Sequence, residues 1–253
     1  MTSDAASGAT TVRSVERCLD ILEVLERSDS PLRLTDIARR AGQHPATTLR
    51  FLGALERRGM VVVRQQLYRL AVATLGMAHG FLSLDPLCQA ARQVLQELAT
   101  ATKLAATLYV RSGADRVLVI RIEGGEPLRY QPPVGRRLPL VTGGGIPIAA
   151  QLSDADIERL LGPNETFVTS GGVVYSRKEL REFIVAAKRD HVHLSNAQWN
   201  VGVSSISAAV IGRDEPALAS ISLSGPSELV FPDRLLRARE ELLRATFALS
   251  HRF

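Results

Sequence analysis

The sequence predicts an α+β protein of two domains joined by a helix, and three observations carry that prediction. Residues 34–70 read as helix, tight turn, helix and two-strand ribbon, with the turn marked by Gly42 and Pro45. From residue 105 onward the apolar period changes from helical to alternating, and strand-like runs interleave irregularly with helical ones, as in a mainly antiparallel sheet with helices packed on it. At 253 residues, 45% of them hydrophobic, the chain has the length and apolar content for two separate cores.

Residues 1–11 are small and polar with nothing to bury, so a disordered arm is expected there. Ser14 is placed to cap a first helix, in which Val15, Cys18, Leu19, Leu22 and Leu25 fall at three- and four-residue steps; residues 28–31 end it. A second helix over 34–41 buries Leu34, Ile37, Ala38 and Ala41 and stops at Gly42, a residue suited to a left-handed cap. Pro45 opens a third helix at a first-turn position, where its missing amide donor costs nothing. Leu49, Leu52 and Leu55 form the inward stripe of that helix, which turns Ala46, Thr47 and Arg50 outward, and Gly59 ends it. The β-prone runs 61–63 and 67–70 flank Arg64, Gln65 and Gln66, as in a short hairpin of undetermined turn type. This order is the layout of a winged helix-turn-helix domain, expected over residues 12–73, whose recognition helix fits the major groove of double-stranded DNA.

A linker helix is expected over 74–88 through Leu75, Met77, Ala78, Phe81 and Leu82, with an interruption near Asp85 and Pro86. The rest, 89–253, forms the second domain. Helical periodicity resumes over 87–101. Strands follow at 105–110 and 116–123 around a turn at 112–115, then a Pro/Gly-rich loop over 124–147. Helices are expected at 154–161 and 176–189, strands at 206–210 and 217–224, and a closing helix over 232–250.

Charge separates the two domains. The whole chain carries 31 Lys plus Arg against 26 Asp plus Glu, a formal +5, but residues 33–73 hold eight arginines against two acids, so that segment alone carries +6. A polyanion-facing surface belongs there. Arg50 is the leading contact, since a guanidinium holds a phosphate or bridges both acceptors of guanine. Thr47 and Thr48 are short hydroxyl side chains, Ala46 permits close approach, and Thr35 and His44-Pro45 flank the two helix starts. Arg64, Gln65 and Gln66 lie where a wing meets the backbone or minor groove.

The two cysteines fall singly on helical patterns, so reduced thiols are expected rather than a disulfide or metal site. No apolar run reaches the roughly 20 residues of a spanning helix and the N-terminus lacks a signal pattern, so a cytoplasmic protein without membrane partners is expected. No Gly-x-Ser-x-Gly, His-Glu-x-x-His, P-loop or Gly-x-Gly-x-x-Gly motif occurs. Neither catalytic residues nor cofactors are expected.

From Val12 onward the chain resembles the IclR family of bacterial transcriptional regulators. The N-terminal blocks are Ser14-Val15-Glu16-Arg17-Cys18-Leu19-Asp20-Ile21-Leu22, Leu34-Thr35-Asp36-Ile37-Ala38, Thr47 through Leu55, Gly59-Met60-Val61 and Tyr68-Arg69-Leu70. The C-terminal blocks are Gly135 through Leu140, Gly202 through Val210, and Ser220 through Pro226. The resemblance implies a winged DNA-binding domain, a linker helix and a GAF-like domain that binds a small organic effector, in a dimer or tetramer acting on promoter DNA. His44-Pro45 stands where the family often has Pro-Lys. Residues 142–147 read Thr-Gly-Gly-Gly-Ile-Pro without the cation of the family's usual loop, and 195–200 read Ser-Asn-Ala-Gln-Trp-Asn in place of acids. A less charged pocket is therefore expected.

For that pocket, the backbone amides of Gly143, Gly144 and Gly145 are free of Cβ obstruction and suited to converge on a carboxylate. Ser222 and Ser224 alternate with Ile221 and Leu223, which puts both hydroxyls on one face of a strand. Ser195 and Ser205 join them through the family pattern, and Trp199 is a wall or core residue. A small carboxylate, an aromatic acid or a neutral metabolite all suit such a lining. Two other functions stay open: a small-molecule enzyme with a DNA-targeting module, and a regulator whose C-terminal domain only oligomerises.

Overall fold

The computed structural model describes residues 12–125, 128, 132–169, 172–198, 201–214 and 218–253. The predicted arm at 1–11 and the Trp199-Asn200 pair lie outside them. The chain divides into two compact units, 1–81 and 82–253.

The first unit begins with α1 (Arg13–Glu26), capped by Val12 rather than by the Ser14 side chain. Its inward face is Ile21 and Leu25 with Cys18 and Leu22 beside them, while Val15 and Leu19 stand exposed, so the predicted stripe includes two surface residues and misses Ile21, which is fully buried. A two-residue strand, β1 (Leu32–Arg33), precedes α2 (Leu34–Arg40), and Gly42, at φ +62°, turns the chain toward α3 (Pro45–Arg57) as expected. The hairpin is β2 (Val61–Arg64) and β3 (Leu67–Leu70), and β1 adds to β3 as a third strand that its short length hides in the sequence. Gln65 and Gln66 both have positive φ, 52° and 64°, the backbone of a type I′ turn built without the Asn or Gly that usually signals it. Ile21, Leu25, Leu32, Ile37, Leu52, Leu55 and Val61 form the core. On α3 the inward position belongs to Thr48, fully buried with its hydroxyl donating to the His44 carbonyl at 3.2 Å, whereas Leu49 is about half exposed. Leu52 and Leu55 face inward as expected, and only the first position of the stripe differs, because a hydroxyl satisfied by its own helix can be buried there in place of Leu49.

The segment expected as a linker holds α4 (Ala73–Leu84), with no buried residue, and Asp85 then caps α5 (Pro86–Thr102) by accepting the Cys88 amide at 2.8 Å. Both cysteines are free. The second unit continues with β4 (Ala105–Ser112), β5 (Asp115–Ile122) and β6 (Arg137–Pro139). A 3₁₀ turn (Gly143–Gly145) leads into α6 (Ile146–Ala149), so what reads as one loop from 124 to 147 holds a strand and two helical turns. Next come α7 (Asp154–Leu161), β7 (Thr166–Val168), β8 (Val174–Ser176) and α8 (Arg177–Asp190), whose Ser176 and Glu179 form a reciprocal capping box. The chain closes with β9 (His193–Asn196), β10 (Val203–Val210), β11 (Ala219–Pro226), α9 (Ser227–Val230), α10 (Asp233–Arg237) and α11 (Arg239–Ser250). The single closing helix expected from 232 is thus broken at Ala238.

Six of these strands form an antiparallel sheet in the order β6-β5-β4-β11-β10-β9. Its two faces differ sharply. Leu108, Ile206, Ala208, Val210, Ile221 and Leu223 pack with Leu95, Leu98, Leu242 and Leu249 of α5 and α11 in one apolar core. The opposite face carries hydroxyls: in register, Ser195 of β9, Ser205 of β10 and Ser224 of β11 form one row across three strands, and Ser207, Ser222 and Thr107 form a second. Strand alternation produces this segregation, since each serine is flanked by an aliphatic residue facing the helices.

Candidate DNA-binding surface and effector pocket

In the first unit, Thr35, His44, Pro45, Ala46, Arg50, Arg64, Gln65 and Gln66 are all exposed, and Thr47 is half-buried. They lie at the start of α2, the start and outer face of α3, and the hairpin tip. His44 is the α3 cap: its Nδ1 accepts the Ala46 amide at 3.3 Å, which leaves the Nε2 edge of the ring outward and able to donate. Arg39 is held by Asp36 at 3.2 Å, but Arg50 forms no ion pair among the described residues. Thr48 has no path to DNA, because its side chain is buried and its hydroxyl committed, so it leaves the expected contact set.

In the second unit, the hydroxyl face of the sheet is the floor of a cavity of about 60 Å³. Gly143, Gly144, Ser195, Ser205, Ser222 and Ser224 line it together with Tyr109, Leu138 and Pro132. Six of the seven residues expected in the pocket therefore meet in space from four separate elements. Gly145 does not: a β-carbon there would stand 2.3 Å from the Leu140 carbonyl oxygen, so this glycine lets two backbones pack.

The roof is the turn 142–145, and three contacts hold it. Ser220 Oγ donates to the Gly144 carbonyl at 2.6 Å, the Gly143 amide donates to Gln198 Oε1 at 3.2 Å, and Arg116 donates to the Thr142 carbonyl at 2.6 Å. The Gly145 amide is taken by the Thr142 carbonyl at 2.9 Å. Two of the three glycine amides are thus spent inside the protein, which removes the expected amide cradle; what Gly143 and Gly144 give the cavity is space. Gln198 Oε1 also meets His193 Nε2 at 2.9 Å. Burial presses the His193 pKa down to about 4, against the raising effect of the Gln198 bond and with the lowering help of Arg116, so the ring is neutral near pH 7.

The expectation of a weakly charged pocket fails, because Arg116 and Arg121 both line it. Their signal in the sequence was hidden: they sit on β5 among Val, Leu and Ile, where an alternating pattern reads as an ordinary half-exposed strand. Arg121 is neutralised by Glu123 at 2.8 Å. Arg116 is 2% exposed, with its guanidinium carbon 4.9 Å from the centre of the Tyr109 ring. Desolvation lowers its pKa to about 10, opposed by Tyr109 and Asp115, so it remains a cation at pH 7.

A winged helix-turn-helix unit followed by an antiparallel effector-type domain with a roofed polar cavity defines a ligand-responsive transcriptional regulator. Residues 14–65 match the IclR helix-turn-helix domain and residues 79–251 the bacterial transcriptional regulator IclR C-terminal domain. The chain belongs to the IclR family and is a DNA-binding transcriptional regulator. Similar proteins include the HTH-type transcriptional regulator XynR of Escherichia coli K12, 26% identical over 242 residues and covering 94% of this chain and 96% of that one. The transcriptional repressor IclR of the same strain is 23% identical, covering 92% and 87%. Among solved structures, the IclR regulator of Alicyclobacillus acidocaldarius superposes with a TM-score of 0.79 at 20% identity, covering 95% of this chain and 98% of that one. An IclR homologue of Microbacterium hydrocarbonoxydans complexed with 4-hydroxybenzoate gives 0.72 at 18% identity, covering 94% and 98%. The similar curated proteins are transcriptional regulators rather than enzymes, and no helix among the described residues is long and apolar enough to cross a membrane.

Proposed function

We propose that this regulator reads promoter DNA with α3 and the β2-β3 wing, and that a small organic acid in the β9-β10-β11 cavity changes its affinity for that DNA. Arg50 and His44 are the principal contacts, with Thr35, Pro45, Ala46, Thr47, Arg64, Gln65 and Gln66 around them; Gly143, Gly144, Ser195, Ser205, Ser222 and Ser224 receive the effector. The observation that carries the sensor reading is the cross-strand row Ser195, Ser205, Ser224 under a roof tied down at Gly143 and Gly144. A purely oligomerising domain has no use for hydroxyls aligned beneath a cavity. The site has no described nucleophile and base within hydrogen-bond reach, which supports a sensor and not an enzyme.

The protein acts as a homo-oligomer in the cytoplasm. Support comes from α4, where Leu75 is 67% exposed, Met77 64% and Leu84 78%, and from Val15 and Leu19 on α1. So much apolar surface on two helices fits coverage by a second copy. An effector then shifts DNA affinity only as far as it distinguishes two arrangements of that oligomer.

The test is selection of genomic fragments by the full-length protein, followed by anisotropy titration of a selected fragment with and without organic acids. A preferred fragment whose affinity moves with a saturable acid, without turnover of that acid, is expected. Binding no better than random duplex overturns the DNA reading; turnover overturns the sensor reading.

A further inference from the structure

We propose that Arg116 is the charge anchor of the cavity, so that the effector is bound as a carboxylate anion and its acid group completes the coordination of this guanidinium. The inference rests on the cavity being the effector site and adds what holds the ligand there.

Three features of Arg116 carry it. The side chain is buried, and the groups its guanidinium meets are neutral: the carbonyls of Pro139 and Thr142 and the side chain of Tyr109. Asp115 raises its pKa by charge alone, and no described carboxylate forms an ion pair with it, in contrast to Arg121 beside Glu123. Its Nε is buried with no hydrogen-bond partner. A cation taken out of water without a carboxylate in contact is costly, and an unmade bond to a charged donor adds to that cost. The guanidinium lies against Tyr109, and its Nη2 is 3.6 Å from where a β-carbon on Gly143 would stand, at the cavity wall. An anion entering there meets Arg116 at one end and the serine hydroxyls, which donate or accept, along the floor.

The geometry also separates the roles of the two arginines. Arg121 already has its acid, so its charge is offset before any ligand arrives. A carboxylate is the group that satisfies Arg116, since a planar fork matches two oxygens. A neutral amide of the same shape presents one acceptor and a donor that faces the guanidinium unfavourably.

Calorimetry and thermal shift on the full-length protein test this with lactate against lactamide and benzoate against benzamide, at matched ionic strength. At least one acid is expected to bind at least tenfold more tightly than its amide in the wild type, and Arg116→Met is expected to bring that ratio close to one. Arg116→Lys, which keeps the charge and loses the fork, gives an intermediate ratio and covers the case in which the methionine variant does not fold. Equal binding of an acid and its amide overturns the anchor while leaving the pocket standing. A tenfold preference that survives in a folded Arg116→Met overturns it too. Silence of both acids and both amides at 20 mM rejects the anchor and the cavity together.

Discussion

Gly144 and Ser222 face each other so closely that a β-carbon on Gly144 would stand 2.5 Å from Ser222 Oγ and 3.2 Å from the Tyr109 ring. Gly144→Ala is therefore expected to fill the cavity from its roof. The serine can rotate, so the overpacking costs about 1 to 3 kcal/mol and the protein still folds. Effector-induced thermal stabilisation should vanish while DNA affinity without effector stays. Gly145→Ala meets backbone instead, 2.3 Å from the Leu140 carbonyl oxygen, and should lower Tm more than Gly144→Ala does. A Gly144→Ala protein with the full ligand shift would place the effector elsewhere.

Ser222 has two tasks. Its hydroxyl sits 2.6 Å from Ser207 Oγ and also lines the cavity. Ser222→Ala leaves a buried hydroxyl without that partner, a loss of about 1 to 3 kcal/mol, whereas Ser224→Ala at the cavity edge should cost less. Both together are expected to abolish the melting shift and spare operator binding; an unchanged shift in the double variant argues against the serine floor.

His193 predicts an acid-sensitive roof. Its folded pKa, about 4, lies below the ordinary 6.5, so the folded state binds the proton less well than the unfolded chain. The contribution to stability is present above about pH 6.5 and is lost as pH falls toward 4, with a limit of about 3 kcal/mol. Asp156, Glu179 and Asp190 have lowered pKa values, for which hydrogen bonds from Ser153, Ser176 and Arg189 respectively are the leading causes, and they weaken the fold in acid as well. The distinguishing measurement is His193→Gln: its Tm should fall less than that of the wild type between pH 7 and pH 5. Parallel curves would remove His193 from the account.

On the DNA side, Arg50→Ala should weaken operator binding by roughly 1 to 3 kcal/mol, about five- to 150-fold in Kd, without changing effector affinity. Thr48→Ala should do the reverse, lowering Tm through its lost bond to the His44 carbonyl with operator preference kept. Anisotropy at one fixed salt concentration decides, because phosphate contacts make every such affinity salt-dependent. Equal losses of DNA affinity in both variants would refute the assignment of outward and inward faces on α3.

The exposed apolar side chains of α4 make an oligomer prediction. Leu75→Glu combined with Phe81→Glu should shift the protein toward monomer in light scattering and weaken operator binding. Single-chain stability should change by no more than about 0.5 kcal/mol, since neither side chain is buried. An unchanged mass places the interface on another face.

Local chemistry made much of this protein legible in its sequence. Gly42 and Pro45 punctuate α2 and α3 because each fixes a backbone geometry alone, and Ser222 and Ser224 share a face because strand period is two. The arginine excess over residues 33–73 needs only counting. Tertiary structure decided the rest, wherever a residue's role depends on a partner distant in the chain. Thr48 is core and Leu49 is surface because what α3 packs on takes the line Thr48, Leu52, Leu55 rather than Leu49, Leu52, Leu55. Arg116 became a buried cation with no carboxylate in contact only when the Thr142 carbonyl, 26 positions away, closed over it. Sequence periodicity reports which face of an element turns inward; whether that interior is a core or a cavity is set by the elements that arrive opposite it.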